Sequence, residues 1–134
     1  MIDKKATIKR VFTINYKVKD FSDINDDIDL LILGIANVRD NDGKTALIHA
    51  SYKNHLKVVQ ILIDAGADVD IQDNDGRTAL MWASSNDNLE VVQELIKAGA
   101  DVNIQNNEGW TALIYAKIYK NQEIIDLLKK AGAK

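Results

Sequence analysis

The side chains that most often carry out chemistry in proteins are sparse in this sequence and poorly spaced for it. The 134-residue chain contains two histidines, His49 and His55, and no cysteine. A zinc site needs three or four nitrogen, sulfur or carboxylate ligands, and two histidines six positions apart do not supply them. No serine stands at a spacing that indicates a histidine–carboxylate partnership for nucleophilic catalysis. We therefore expect no catalytic residue, no metal site and no enzyme.

One short sequence resembles part of a phosphate-binding loop. Gly43-Lys44-Thr45 has the glycine, lysine and hydroxyl residue with which such a loop ends. The loop also needs a glycine five residues before the second one, since its backbone amides cradle the phosphates. Val38 occupies that position, so we expect no nucleotide and no other cofactor.

A second pattern, Asp-Asn-Asp-Gly, occurs at 40–43 and again at 73–76, and it prompts a test for calcium. If Gly76 is aligned with the invariant glycine of a calcium loop, Ile71 falls at the first ligand position. Trp82 then falls where the bidentate glutamate belongs. Because both ends of the loop fail, we interpret these aspartates as turn residues that hydrogen-bond to their own backbone.

Composition and charge narrow the classes of partner. The formal net charge is −3, which gives no general attraction to phosphate backbones and argues against nucleic acid. No run of 18 apolar residues is present, so we expect neither a membrane span nor a secretory signal. The absence of cysteine is compatible with a reducing compartment, and we expect a cytoplasmic location.

The strongest pattern in the sequence is a repeat of 33 residues. Gly43, Gly76 and Gly109 keep this step, and so do Gly66, Gly99 and Gly132. Residues 40–72 and 73–105 are identical at 22 of 33 positions, and 106–134 repeats the unit but is four residues shorter. A fixed period of this size predicts stacked units that bury their apolar faces against one another. We expect one domain spanning 1–134.

Each unit is predicted to contain a turn, a helix, a short loop and a second helix. Thr45, Thr78 and Thr111 stand where a hydroxyl would cap the first helix, which we expect at roughly 79–86 in the middle unit. The second helix has an apolar face at Leu89, Val92, Leu95 and Ile96. The glycines at 66, 99 and 132 stand where a left-handed residue ends a helix. Beyond them, 69–71 and 102–104 alternate like short extended arms.

The assembled unit closely resembles the ankyrin repeat, whose first helix opens with T-P-L-H-x-A. The corresponding sequences are Thr45-Ala-Leu-Ile-His-Ala50, Thr78-Ala-Leu-Met-Trp-Ala83 and Thr111-Ala-Leu-Ile-Tyr-Ala116. Alanine replaces the family proline, and Ile48, Met81 and Ile114 replace the family histidine. The resemblance implies an all-α solenoid with short β-hairpin-like turns, which binds a protein partner through its concave face.

The first 39 residues fit the repeat less well. Apolar residues between 21 and 35 fall on one helical face, and we interpret 23–34 as the second helix of a degenerate N-terminal capping repeat that spans 1–39. Residues 7–19 fit a helix or an extended segment, with disorder as a third interpretation, and all three remain open. Six basic residues and Asp3 lie within 1–19, and five aspartates follow within 20–29. We expect a solvated, internally compensated cap, with a basic arm for an acidic partner as the alternative.

The candidate binding residues are those that differ between units whose other positions agree. These positions are 44/77/110, 49/82/115, 52/85/118 and 53/86/119, and they are rich in tyrosine and tryptophan, the side chains that dominate interface hot spots. By resemblance they correspond to the turn tips and first helices with which ankyrin repeats contact partners. The predicted binding set is Lys44, His49, Tyr52, Arg77, Trp82, Ser85, Trp110, Tyr115 and Tyr119. Trp82 and Tyr115 have an alternative role as packing between neighbouring helices.

Two other functions compete with partner binding. The first is a self-associating structural module that uses an apolar terminal surface at Ile118, Ile124 and Ile125. The second, and weaker, is a small enzyme or cofactor binder, for which the sequence offers no catalytic constellation. We expect a monomer, with a homo-oligomer as the alternative.

Overall fold

The computed structural model describes residues 36–134, and the expectations for the N-terminal 35 residues lie outside this range. Within it, each of the three units contributes two α-helices and no β-strand. The helices are α1 (Ala46–Tyr52), α2 (Leu56–Asp64), α3 (Ala79–Ser85), α4 (Leu89–Lys97), α5 (Ala112–Ile118) and α6 (Gln122–Lys130). The predicted helix pairs are confirmed, and the first helix of the middle unit ends one residue earlier than expected.

The first helix of each unit begins at a threonine. The hydroxyl oxygens of Thr45, Thr78 and Thr111 accept from the amides three residues later, at 3.2, 3.3 and 3.4 Å. Each threonine has extended backbone angles, as a helix N-cap requires. The predicted caps are therefore confirmed, and they hold the adjoining turn at a fixed angle to the helix.

The loop between the two helices also joins neighbouring units. Asn88 Nδ2 donates to the Ser51 carbonyl at 2.8 Å, and Asn121 Nδ2 donates to the Ser84 carbonyl at 2.7 Å. Both carbonyls belong to the last turn of the preceding unit's first helix, where intrahelical donors are missing. Each loop thus satisfies an open helix end one unit back.

The core lies between the helices and repeats with the sequence. Leu47, Leu80 and Leu113 are buried on the first helices, and Val92, Leu95 and Leu128 are among the buried residues of the second helices. Val91 is also buried, although the sequence pattern did not mark it as part of the apolar face. The first helices contact one another more extensively than the second helices do, so the side of the stack that they form is the more closely packed one.

The segments after α2 and α4 differ from the extended arms that the sequence suggested. Residues 69 and 70 form a turn, and no strand is assigned anywhere in 36–134. The carboxylate of Asp68 accepts from the Asp70 amide at 3.0 Å, and Asp101 accepts from the Asn103 amide at 2.9 Å. These local hydrogen bonds hold the chain in turns and compete with a strand ladder.

The turns before the first helices stack against one another. Asn74 N donates to the Asp42 carbonyl at 2.9 Å, and Asn107 N donates to the Asp75 carbonyl at 3.0 Å. The side chain of Asn107 adds a second bond, from Nδ2 to the Asn74 carbonyl at 2.9 Å. Gly76 lies in this contact with a φ of +79°, and a Cβ on it would stand 2.8 Å from the backbone nitrogen of Asn107.

The surface at the C-terminal end differs from the one expected from the sequence. Ile124 and Ile125 are buried, because α6 packs this face against the rest of the stack. Ile118 is exposed, as expected, and it shares the end of the stack with Ile114 and Trp110. Ile114 occupies the position of the buried Ile48 and Met81 in the other units, so an inner packing position becomes surface in the last unit.

Candidate functional site

The turn of each unit is locked by one side chain that bonds both to its own backbone and to the first helix. Asp40, Asp73 and Asn106 each accept, through Oδ1, from the amides two and four residues later. The second terminal atom of each side chain, Oδ2 of the aspartates or Nδ2 of the asparagine, faces the first helix of the same unit. Asp40 Oδ2 lies 2.7 Å from His49 Nε2, and Trp82 Nε1 donates to Asp73 Oδ2 at 3.1 Å. In the third unit Asn106 Nδ2 donates to the Tyr115 hydroxyl at 2.9 Å.

This arrangement accounts for the joint change to Asn106 and Tyr115 in the third unit, whereas the first two units keep an aspartate with either histidine or tryptophan. An aspartate accepts from the nitrogen-bearing rings of histidine and tryptophan, whereas an asparagine can donate to the tyrosine oxygen. The sequence contained this signal in the parallel change at positions 40/73/106, but the sequence reasoning did not use it. The geometry also supports the interpretation of Asp40 and Asp73 as turn residues. In the described part of the chain, no cluster of three potential metal-binding side chains occurs.

The carboxyl of Asp40 makes the stability of the first turn dependent on pH. Burial alone would raise the pKa of Asp40, but hydrogen bonds from His49 and from the amides of Lys44 and Asp42 lower it below its ordinary value. When the pKa of a carboxyl is lower in the folded protein than in the unfolded chain, its ionised form stabilises the fold. This stabilisation is complete at pH values above the pKa in the unfolded chain, about 3.9. That contribution is lost as the pH falls through the folded pKa.

We expect His49→Ala to raise the pKa of Asp40 toward its ordinary value and to weaken the acid dependence of unfolding below about pH 4. The carboxyl pKa can be followed by ¹³C NMR, and the free energy of unfolding by urea titration at pH 6 and pH 3. Lys53→Ala, at an exposed residue directly after α1, serves as the control. An unchanged pKa in the histidine variant would show that the imidazole does not stabilise the carboxylate.

The residue directly after the turn glycine, which we call the turn-tip residue, contacts the next unit. Lys44 Nζ lies 5.1 Å from the ring centre of Trp82, and Arg77 Nε donates to the Tyr115 hydroxyl at 3.1 Å. The two contacts join the same pair of positions, 38 residues apart. The Arg77 guanidinium also lies 5.1 Å from the Trp82 ring, so that this ring has two cationic neighbours. Such contacts are attractive because the ring face carries negative charge.

Arg77 connects several of these groups. Its Nη1 lies 3.8 Å from Asp75 Oδ2, longer than a hydrogen bond. Burial would lower the pKa of Arg77, but the Tyr115 hydroxyl and the charges of Asp75 and Asp73 raise it above its ordinary value. The guanidinium is therefore always charged, and its Nη groups keep donor capacity for another acceptor.

Two aromatic pairs extend this arrangement along the stack. Tyr52 packs edge-on against Trp82, with ring centres 5.1 Å apart, and Trp110 packs against Tyr115 at 5.4 Å. We call the six joined side chains the aromatic–cation row. Its members are Lys44, Tyr52, Arg77, Trp82, Trp110 and Tyr115. The row runs across all three units, which a sequence pattern of separate variable positions did not show.

The predicted binding residues differ in their exposure. Tyr52, Trp110 and Tyr119 are exposed, whereas Lys44, His49, Arg77, Trp82 and Ser85 are partly buried. Tyr115 is buried, with 8% of its surface exposed, and its hydroxyl is used by two hydrogen bonds. Ser85 and Tyr119 lie beside the row, in a shallow pocket with Arg77 and Trp82. His49 lies on α1, where it contacts Asp40 of the turn of its own unit and no member of the row.

The chemistry available on this face is that of recognition. It offers ring faces and edges, two cations and the carboxylates of the turns. None of the helices in the same range is long and apolar enough to cross a membrane.

The comparison with known families gives a single result. No curated protein matches the sequence at a significant level. The family model described as ankyrin repeats, in three copies, matches residues 18–106 and 67–134. These ranges cover most of the chain and agree with the repeated helix pairs. The chain therefore belongs to the ankyrin repeat family.

Proposed function

We propose that this protein binds a partner protein through the inner face of the stack, formed by the turns and first helices. Ankyrin repeats are generally protein–protein interaction modules and typically have no catalytic activity. The proposed contact residues are Lys44, His49, Tyr52, Arg77, Trp82, Ser85, Trp110, Tyr115 and Tyr119.

The aromatic–cation row is the observation that carries this proposal. Tyr52 and Trp110 are large side chains that remain exposed at its two ends. Amphipathic aromatic side chains and arginine are the residues that most often dominate binding energy at interfaces. The row concentrates them along one surface, and the second helices contain no aromatic residue.

The row is also held in place before any partner arrives. Trp82 is fixed by its bond to Asp73, and Tyr115 by its bonds to Asn106 and Arg77. Ordering a side chain on binding costs about 0.5–1.5 kcal/mol. Rings that are already ordered avoid part of this cost, so we propose Trp82 and Tyr115 as contact residues that are ordered in advance. The exposed side chains of Tyr52, Trp110 and Tyr119 and the Arg77 guanidinium complete the proposed contact.

Size and charge limit the kind of partner. A standard interface buries about 800 Å² on each protein, so three units would use most of this face. The net charge of −3 favours a protein partner over nucleic acid. We propose a monomer that acts in the cytoplasm, a reducing compartment with which a cysteine-free chain is compatible.

We expect Arg77→Ala to weaken partner binding by about 2 kcal/mol or more, as truncation of a central anchor does. Trp110→Ala should also weaken it, because the indole is exposed beside Tyr115. A partner captured with the intact protein can be titrated against each variant by calorimetry, and melting curves show that each variant is folded. Lys97→Ala, on the exposed side of α4, is the control. Weaker binding in the Lys97 variant alone would place the interface on the second helices.

Self-association is the second candidate, and the end of the stack is the observation that favours it. Trp110, Ile114 and Ile118 form an exposed apolar surface there, and apolar end surfaces of repeat stacks tend to associate. Sedimentation velocity over a range of concentrations distinguishes the two functions. A concentration-dependent dimer that Ile118→Glu abolishes would favour self-association.

A further inference from the structure

Position 52/85/118 contains the largest change in size along the row. In the first unit it is Tyr52, whose ring packs edge-on against Trp82 of the next unit with ring centres 5.1 Å apart. In the second unit it is Ser85, and the ring that it would meet in the next unit is Tyr115. We call this contact region between neighbouring units the joint. The joint between the first and second units is filled by Tyr52, whereas Ser85 stands at the equivalent position between the second and third units.

The serine leaves a pocket between the second and third units. The pocket has a volume of about 110 Å³ and is lined by Arg77, Met81, Trp82, Ser85, Tyr115 and Tyr119. The Ser85 hydroxyl donates to the Trp82 carbonyl at 2.9 Å. It is thus bonded to its own helix and does not fill the space.

The repeat register shows what this space accommodates. Moving each lining residue back by 33 positions gives Lys44, Ile48, His49, Tyr52, Trp82 and Asn86, the residues around the corresponding joint. Tyr52 belongs to that set and contacts the facing ring there. The chain itself thus places an aromatic side chain at the joint whose counterpart is open between the second and third units.

We propose that the pocket at Ser85 receives an aromatic side chain of the partner protein, in the position that Tyr52 occupies one unit earlier. This inference rests on the proposed function and names the chemistry that it recognises. An enclosed cavity of about 150 Å³ holds a benzene ring. The pocket at Ser85 is of the same order, about 110 Å³, and it is partly open, so one ring can insert into it.

The walls of the pocket favour a ring over an aliphatic chain. Trp82 and Tyr115 offer an aromatic face or edge for a T-shaped contact, which contributes beyond buried area. The Arg77 guanidinium offers a cation for the ring face. Its Nη donors also suit an acceptor beside the ring, such as a tyrosine hydroxyl or a backbone carbonyl. An aliphatic side chain makes neither the ring–ring contact nor the cation–ring contact.

N-acetylphenylalaninamide is the probe for the pocket, with N-acetylleucinamide as the control compound. The chain has two tryptophans, so ¹⁵N NMR gives two indole signals, which Trp110→Phe assigns. We expect the aromatic probe to shift the Trp82 signal saturably, with a dissociation constant on the order of 1 mM, as for a small fragment. The leucine probe should bind at least tenfold more weakly.

Two variants at one position test the mechanism. Ser85→Tyr should fill the pocket as Tyr52 fills its own joint, abolish the probe-induced shift and leave the melting temperature no lower. Ser85→Ala should keep the pocket open and retain the shift. If the aromatic probe fails to bind, or still binds to Ser85→Tyr, the proposal is wrong. A leucine probe that binds as tightly as the aromatic probe would also overturn it.

The same variants separate this inference from the proposed function. Once a partner is captured, Ser85→Tyr should weaken its binding at least tenfold, while Ser85→Ala should change it little. A partner that binds both variants equally, yet loses affinity with Arg77→Ala, contradicts the pocket and leaves the proposed surface intact. Probe binding together with a partner interface on the second helices contradicts the proposed function instead.

Discussion

Gly76→Ala is expected to destabilise the protein by about 3–4 kcal/mol, whereas Gly109→Ala should cost about 1–2 kcal/mol. Both glycines have nearly the same left-handed backbone, with φ of +79° and +83°, so the strain of an added Cβ is shared. The two positions differ in the atoms that an added Cβ would meet. A Cβ on Gly76 would stand 2.8 Å from Asn107 N, while one on Gly109 meets no atom within 4 Å.

The additional cost at Gly76 comes from the hydrogen bonds of the next turn. To relieve the contact, Asn107 must move away from the Asp75 carbonyl, with which its amide bonds at 3.0 Å. Its side-chain bond to the Asn74 carbonyl, at 2.9 Å, is strained by the same movement. Each bond contributes about 1 kcal/mol net. Urea unfolding of the two variants measures the difference directly, and equal costs would show that the stacked turns contribute nothing to stability.

Met81→Ala is expected to cost about 2–5 kcal/mol of the free energy of unfolding, as large-to-small changes in a packed core do. Met81 has 1% of its surface exposed, and Ile114, the same position one unit later, has 36%. Ile114→Ala should cost less, about 1–2 kcal/mol, because about a third of the Ile114 surface is already in contact with water.

Thermal and urea unfolding of both variants measure the two costs. The Met81 and Ile114 variants are matched because the two substitutions lie at equivalent positions of neighbouring units. The comparison isolates what a following unit adds to an otherwise similar side chain. A loss at Ile114 as large as that at Met81 would mean that the end of the stack is covered in solution. Sedimentation of the native protein would then identify a second copy as the cover.

The helices and their boundaries could be predicted because the interactions that set them are local. The hydroxyls of Thr45, Thr78 and Thr111 bond only three residues ahead, and Gly66, Gly99 and Gly132 end helices through their own backbone angles. Such signals depend on residue type and short spacing. The 33-residue step then determines which helices become neighbours, since each unit buries its apolar face against a similar unit.

The candidate site was less accessible to sequence reasoning because its contacts cross between units. Variation identified the positions, but it did not show that Arg77 reaches Tyr115, 38 residues away. Nor did it show that Trp82 is tied to Asp73. The self-association alternative needs Ile124 on an apolar terminal surface, whereas this side chain packs in the core and is buried. The exchange of Tyr52 for Ser85 was visible in the sequence, but only the joint geometry turns it into a pocket.

The uniform 38-residue reach from turn tip to ring also bears on how such a chain can lengthen. A tandem duplication of residues 73–105 would place Arg77 of the first copy against Trp82 of the second copy, in the arrangement that Lys44 and Trp82 already have. The outer units would keep their own neighbours in register. Copying one unit thus adds an interface between units whose contacts are already compatible, and it adds a further position 85 that can vary independently. A longer stack with a larger binding surface can therefore arise without changes in its core.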